Sequence, residues 1–210
     1  MSRTYRSDLR GQQAEDTRRR ILEVAAGKFA QDGYAATSVR QLAVAAGVSV
    51  NTLYAIGGKP EIFLKALVQV IDDEEGARLV DRPEVVDLFA VAEPVLNQVL
   101  VAQAALITAA NDRSAKLWAA FEEGANTDAY LAVAYGQEAE KMRADSRRGL
   151  DRLVRAGICA APADPDRTAD LLWAAGHPRN YDVLVRQAGW APTDFQEWLV
   201  GQWMALLAVK

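Results

Sequence analysis

The stretch from Thr37 to Lys59 constrains the fold of this 210-residue chain more than any other part of the sequence. Thr37 is a good N-cap residue, and apolar residues recur behind it at the spacing of one helical face. Gly47 suits the left-handed position that follows a helix, and Ser49 is a natural N-cap for a second helix. The sequence therefore predicts two short helices joined by a tight turn. The apolar positions of the first are Val39, Leu42, Ala43 and Ala46.

The second short helix should present a small polar surface. Leu53 and part of Tyr54 would face inward, which leaves Val50, Asn51, Thr52 and Ala55 on or near the outward side. Two such helices form a helix-turn-helix unit, whose second helix enters the DNA major groove with its N-terminal residues at the base edges. Asn51 is the expected sequence reader, because its carboxamide can pair bidentately with an adenine. For Tyr54, a core position is an alternative to a surface contact.

Residues 17–67 resemble the DNA-binding domain of TetR-type (tetracycline-repressor-like) transcriptional regulators. The resemblance lies in TRRRILEVAAGKFAQDGYAATSVRQLAVAAGVSVNTLY, followed by a Gly-Gly-Lys turn and an apolar helix. The segment between Tyr54 and Lys59 is one residue shorter than is usual in that family. The resemblance implies a dimeric, ligand-responsive DNA-binding regulator, most simply a repressor, with phosphate contacts from four side chains. The expected DNA-binding residues are Thr37, Arg40, Val50, Asn51, Thr52, Tyr54 and Lys59.

The charge of the chain is divided unevenly. Residues 1–60 hold nine Lys or Arg against five Asp or Glu, a net charge of +4, whereas the remainder holds fifteen against twenty-three, a net charge of -8. Attraction to phosphates is local, because exposed charges are screened beyond about 8 Å at physiological salt. A basic end on an acidic body is therefore compatible with DNA binding at that end.

Helical spacing extends along the whole chain, and no strand pattern of period two is present. The prediction is an all-α fold of about nine helices: an N-terminal three-helix helix-turn-helix domain and a larger helical C-terminal domain. We expect a flexible arm over 1–13, a DNA-binding head over 14–60, a linking helix over 61–80, and a body for ligand binding and dimerisation over 81–210. The arm either touches DNA or is a solvated tail.

The helices of the head and body have expected limits. The first should run from about Glu15 to Gln31, and the linking helix from Lys59 to about Arg78. In the body, the sequence predicts one helix over residues 83–110 with an interruption near Pro94. It predicts a turn at Asn111 and Asp112. Further helices are predicted at 116–123, from a Thr127 cap to about 156, from an Asp164 cap to a break at 176–178, at 181–187, and from Pro192 to about 209.

The last helix is apolar on two sides, and a helix of that kind must be buried on both. We expect the spare side to meet a second copy across a two-fold axis, together with the helices of residues 166–187, as a four-helix interface. Two heads related in this way match a palindromic operator with half-sites about 34–36 Å, or a multiple, apart. The expected dimerisation residues are Trp198, Val200, Trp203, Met204 and Leu207.

The body also carries scattered polar and aromatic side chains that can enclose a small-molecule effector. Ordinary core packing is the alternative for each of them, and His177, beside the Gly-His-Pro break, can equally hold a backbone group. The candidate ligand-binding residues are Asn97, Gln103, Trp118, Phe121, Tyr130, Trp173 and His177.

Other classes of function are disfavoured. The lone Cys159 excludes an intrachain disulfide framework and a multi-cysteine zinc site, so we expect no metal or cofactor. A single cysteine is also compatible with a reducing compartment, and we expect a cytoplasmic location. One histidine and one cysteine leave little scope for a catalytic triad, so we do not expect an enzyme. The longest apolar run, Val95 to Ala110, is too short for a bilayer. The alternative function is a helical adaptor that uses its apolar C-terminal helix for a foreign partner.

Overall fold

The computed structural model describes residues 2–71, 79–90 and 95–207, with side chains from residue 12 onward. No strand occurs among these residues, and the prediction of an all-α fold is confirmed. Single 3-10 turns at Leu79–Asp81 and Asp87–Phe89 flank one of the short helices, and a π-helical turn at Asp182–Gln187 follows another. The helices are α1 (Ser2–Asp32), α2 (Val39–Ala46), α3 (Val50–Tyr54), α4 (Lys59–Ile71), α5 (Pro83–Val86), α6 (Leu96–Ala125), α7 (Ala129–Arg155), α8 (Pro165–Gly176), α9 (Pro178–Tyr181) and α10 (Pro192–Leu207).

Helix α1 begins much earlier than predicted. Its backbone is helical from Ser2, so the expectation of a flexible arm over residues 1–13 is wrong for the described part of that range. Arg, Leu, Gln and Ala all have high helix propensity, and Gly11 alone does not end a helix. The lack of an apolar stripe therefore did not mean an irregular backbone.

Helices α1 to α4 pack around one apolar core. The predicted stripe of α1 is buried, as is the inward side of α4. Leu53 of α3 is completely buried in the same core, as its position in the sequence predicted. The predicted extension of α4 to Arg78 falls on residues outside the described ranges. The buried residues of α1 and α4 are Ile21, Leu22, Ala25, Ala26, Phe29, Ile62, Phe63, Ala66 and Leu67.

The body is built on the two long helices α6 and α7, which a three-residue connection joins. Helix α10 packs on α6 and α8, and α8 packs on α7. The N-caps of α7 and α8 are aspartates: Asp128 accepts the N–H groups of Tyr130 and Leu131, and Asp164 accepts that of Arg167 at 3.0 Å. The Asp164 cap was predicted, whereas Thr127 had been expected in place of Asp128.

Helix α6 is continuous where the sequence indicated a turn. Its 30 residues include Asn111 and Asp112, so the predicted break there and the separate helix over 116–123 are wrong. Tertiary partners satisfy both polar side chains: Asn111 donates to the Gly176 carbonyl at 3.1 Å, and Asp112 accepts the Tyr181 hydroxyl at 2.8 Å. Asn and Asp without a glycine or proline do not end a helix when such partners are present. The region 83–90 forms short helical turns instead of one long helix, and the predicted interruption at Pro94 lies outside the described residues.

Side chains of the head and of the body pack together in one continuous apolar core. Phe63 of α4 lies between the rings of Phe29 and Tyr34 in the head and Phe121 on α6, with centroids 5.0, 5.5 and 5.6 Å away. Trp118 and Leu131 belong to the same buried cluster. Helix α6 therefore touches the head at its C-terminal end while the rest of it lies in the body. None of the helices in the described ranges combines the length and apolarity that crossing a bilayer requires.

Candidate nucleic-acid interface and interior cavity

A capping box starts α2 and a left-handed glycine ends it. The Ser38 side chain accepts the Gln41 N–H, and the Gln41 side chain in turn accepts the Ser38 N–H at 2.8 Å. Gly47 has φ 65°, which only glycine adopts at little cost, so the chain turns there as predicted. The predicted N-cap at Thr37 is wrong by one residue. Thr37 is 1% exposed and its hydroxyl donates to the Gly33 carbonyl at 2.7 Å, so this hydroxyl closes the turn and cannot reach a phosphate.

Helix α3 is held by one buried residue and presents its first turn to the outside. Ser49 caps it, as predicted, by accepting the Thr52 N–H at 3.1 Å. Leu53 anchors the helix in the core, and Val50 packs partly against that core. Asn51 and Thr52 are exposed side by side. The arrangement leaves a carboxamide and a hydroxyl on a rigid, outward-facing turn.

Two more predicted contacts lie on the surface of the head. Arg40 of α2 is exposed, and Tyr54 at the end of α3 is 60% exposed. The alternative of a core position for Tyr54 is therefore wrong. Neither side chain is used by the core, so both are available for contacts at the surface.

Lys59 has a different environment from the other predicted contacts. Its ammonium group lies 4.1 Å from the centroid of the Tyr34 ring, in partial burial. Burial lowers the pKa of Lys59 from its usual value, while the Glu123 and Asp128 carboxylates act to raise it. Tyr34 itself joins head and body, because its N–H donates to Glu123 at 2.7 Å and its hydroxyl donates to Asp128 at 3.1 Å. Lys59 thus sits at the head–body junction.

The shortened segment before Lys59 is a compact turn. Gly57 has φ 155°, and a Cβ there would lie 2.7 Å from the Cβ of Glu61, so this position requires glycine. The Lys65 ammonium donates to the Ile56 carbonyl and holds the turn against α4. The segment therefore ends α3 at Tyr54 and starts α4 at Lys59 without an extended loop.

A cavity of about 220 Å³, partly open to solvent, lies in the body among α6, α7, α8, α10 and the two 3-10 turns. Three of the predicted ligand-binding residues line it: Gln103, Trp118 and Trp173. Sequence reasoning missed most of the wall, because its mainly apolar residues have the same helical spacing as core residues. Missed residues include Phe89, Ile107, Met142, Ser146 and Gly149.

The other four predicted ligand residues lie elsewhere. Phe121 is 1% exposed in the head–body core, whereas Asn97 and Tyr130 are on the surface, so these three predictions are wrong for this cavity. His177 is beside the cavity rather than in its wall. Its ring lies 6.1 Å from that of Trp118 and 5.7 Å from that of Trp173, so it supports two wall residues.

The proposed dimerisation set divides in two. Trp203 and Leu207, which were expected at the dimer interface, are buried in the protomer's own core, and the indole N–H of Trp203 donates to the Leu172 carbonyl at 3.0 Å. The helical register of α10 directs them towards α6 and α8. Trp198, Val200 and Met204 are partly buried at the edge of that core.

No group of three or more His, Cys, Asp and Glu side chains in the described ranges has an arrangement that could hold a metal ion. The thiol of Cys159 is partly buried, and burial raises its pKa. A raised pKa disfavours the reactive thiolate.

We expect acid to destabilise the fold through His177. Its Nδ1 accepts the Arg179 N–H at 3.2 Å, and burial lowers its pKa below the ordinary 6.5, with Glu122 acting to raise it and Arg179 to lower it. The unfolded chain then binds a proton at higher pH than the folded chain does, so folded stability falls as the pH drops below about 6.5. Denaturant unfolding from pH 7.5 to 5 should show the wild type losing stability relative to His177→Asn, which keeps an N-cap acceptor but does not titrate. Parallel profiles would contradict this assignment.

A tight turn followed by a short helix with an outward-facing first turn is the arrangement that DNA-binding helix-turn-helix domains use. Residues 21–55 match the sequence model of the bacterial regulatory proteins of the tetR family. No curated protein sequence matches the chain. The match covers α2 and α3 completely, so it falls on the candidate interface.

Solved structures share the whole fold. A TetR-family transcriptional regulator from Mesorhizobium loti MAFF303099 has a TM-score of 0.70 at 22% identity, over 93% of this chain and 96% of that one. A transcriptional regulator from Pseudomonas aeruginosa PAO1 has a TM-score of 0.70 at 19% identity, over 92% and 91%. A TetR-family regulator from a Rhodococcus species has a TM-score of 0.69 at 16% identity, over 91% and 98%. These findings confirm the resemblance to TetR-type regulators.

Proposed function

We propose that this protein is a homodimeric, effector-responsive transcriptional repressor that binds a palindromic DNA operator in the cytoplasm. The observation that carries the proposal is the geometry of α3, where Leu53 is completely buried and Asn51 and Thr52 are exposed on the first turn. A recognition helix needs this combination, because base edges can be read only by side chains that a rigid scaffold holds outward.

Asn51 and Thr52 contact base edges, with Val50 beside them. Arg40, Tyr54 and Lys59 contact the flanking phosphates and set the orientation of α3 without reading sequence. The net charge of +4 in residues 1–60 supports this division, since cationic side chains neutralise phosphates and release counterions. Thr37 is left out of the contact set, because its buried hydroxyl serves the turn.

The dimer is formed by the surfaces of α8 and α10 with the π-helical turn between them. Apolar side chains remain at these surfaces: Leu171 and Val183 are each 45% exposed, and Val200 and Met204 are partly buried. Burying them against a second copy removes apolar area from water. A two-fold axis there presents two copies of α3 to one duplex.

The effector occupies the body cavity and acts through α6. This helix carries wall residues such as Gln103 and Trp118, and at its C-terminal end Phe121 and Glu123 contact the head. Two positions of α6 correspond to two spacings of the heads. A ligand that binds one of these states more tightly shifts the equilibrium towards it, by an amount set by the difference between its affinities for the two states. The shared aromatic core supports this route, because packed side chains transmit displacement.

Selection of bound fragments from random DNA, together with light scattering of the free protein, tests the function. We expect a palindromic site with half-sites about one helical turn, or a multiple, apart, and the mass of a dimer. A monomer that enriches no sequence would overturn the proposal in favour of a helical adaptor.

Replacing Lys59 by Ala is expected to lower operator affinity equally for all sequences and to reduce the salt slope by about 1, because one phosphate contact is lost. Binding titrations between 50 and 200 mM salt measure both effects. Lys141→Ala is the matched control, since Lys141 is an exposed lysine of α7 that pairs with Glu138 at 3.0 Å in the body. If Lys59→Ala leaves the slope unchanged and only lowers stability, Lys59 serves the junction with Tyr34 and does not contact DNA.

A further inference from the structure

The charged side chains in the wall of the body cavity already have partners of opposite charge. Asp145 pairs with Arg148, and Arg152 donates to Asp81 at 3.0 Å and to the Val80 carbonyl at 2.7 Å. Arg148 also lies 3.4 Å from Asp81, so two acids and two bases form one continuous network. The network is electrically balanced.

Glu138 is the remaining ionisable residue among the described residues of the wall, and it lies 3.0 Å from Lys141. The three wall groups, Glu138, Asp145 and Arg152, sum to a charge of -1, and their partners Lys141, Arg148 and Asp81 sum to +1. Among the described wall residues and their partners, the charges therefore cancel. An ionised ligand would lose its hydration there without gaining a counter-charge, which costs free energy.

The rest of the wall is apolar and rich in aromatic rings, with Phe89, Trp118, Trp173 and Trp203 around the space. Its other polar side chains are neutral amides and hydroxyls, those of Gln103, Asn111, Ser114 and Ser146. A cavity of about 150 Å³ lined by apolar side chains holds one benzene molecule. At about 220 Å³ this one has room for a ring with a short substituent.

We propose that the effector is an uncharged compound of about the size of a substituted benzene ring, with a neutral hydrogen-bonding group. This inference rests on the proposed function, in which the cavity is the effector site. The aromatic rings contact the faces and edges of the ligand ring, and the amides and hydroxyls meet its polar group.

Three planar probes of equal size separate charge from shape: benzamide, benzoate and benzamidinium. Each is titrated into the full chain at fixed protein concentration, and the thermal unfolding midpoint is followed. Benzamide at about ten times its Kd is expected to raise the midpoint by roughly 3–5 °C, whereas the two ions leave it unchanged at the same concentration.

Two substitutions at Gly149 test the location. This glycine of α7 lines the cavity, and a Cβ there meets Val80 at an ordinary 3.6 Å. Gly149→Ala should therefore fold and keep the benzamide response, while Gly149→Leu fills the space and should abolish it.

Each contrary outcome is distinct. A shift with benzoate or benzamidinium as large as that with benzamide overturns the uncharged class, and no shift with any probe overturns the inferred size and chemistry. A benzamide shift that persists in Gly149→Leu overturns the location. The thermal unfolding experiment contains no DNA, so its result does not depend on DNA binding. If benzamide binds as expected and the selection from random DNA fails, the proposed function is refuted and the assignment of the cavity stands.

Discussion

Replacing Phe63 by Ala is expected to lower the free energy of unfolding by about 3–5 kcal/mol, the usual cost of removing a buried aromatic ring. Phe63 is completely buried, and it lies at the point where the head meets the body. The rings of Phe29, Tyr34 and Phe121 surround it at 5.0 to 5.6 Å. The resulting cavity therefore removes contacts from α1, α4 and α6 at once.

Denaturant unfolding of the wild type and variant measures this effect, and Phe195→Ala is the matched control. Phe195 is also completely buried, but it packs in the second core beside Tyr181, with ring centroids 5.0 Å apart. We expect a similar loss of global stability from both variants, with faster hydrogen exchange in α1 to α4 for Phe63→Ala alone. A loss below about 1 kcal/mol for Phe63→Ala would show that the junction is less tightly packed than the structure has it.

The second large effect concerns specificity. Asn51→Ala is expected to reduce discrimination at one base pair of the operator half-site by about 1–3 kcal/mol, or roughly 5- to 150-fold, because the side chain can no longer pair with a base edge. Stability should hardly change, since Asn51 is exposed. The measurement is competition binding between the selected operator and variants altered at single positions.

Asn97→Ala serves as the control for this experiment. Asn97 is an exposed asparagine on α6 in the body, so removal of its amide should leave DNA binding intact. If Asn51→Ala keeps the wild-type preference at every position of the half-site, Asn51 is not the reader, and Thr52 and Val50 become the residues to test.

Local patterns predicted the head well. The roles of Gly47, Ser49 and Leu53 follow from backbone freedom, capping and helical spacing, and these act over a few residues. The cap of α2 was misplaced because Thr37 and Ser38 are equally good capping residues in a sequence. The structure distinguishes them: Ser38 forms the capping box with Gln41, while Thr37 bonds back to Gly33.

The body was predicted less well, because its assignments depend on contacts between residues far apart in the chain. Phe121 looked like a pocket residue but lies in the junction core, and Trp203 looked like an interface residue but bonds to Leu172. An aromatic residue at helical spacing has the same pattern in a core, a cavity wall or an interface. Which of these it enters depends on the packing of neighbouring helices.

The sequence by itself determined that the chain is helical, that its basic part carries a helix-turn-helix, and that Asn51 and Thr52 face outward from it. Helical periodicity, caps and charge are properties of neighbouring residues, so they can be read before folding. Only the tertiary structure decided that α6 runs unbroken from the cavity wall to the head and that the charges of that wall cancel. Both depend on partners 65 to 74 positions away in the chain: Gly176 for Asn111, Arg186 for Asp112 and Asp81 for Arg152. Long-range packing brings such partners together, and no local pattern encodes it.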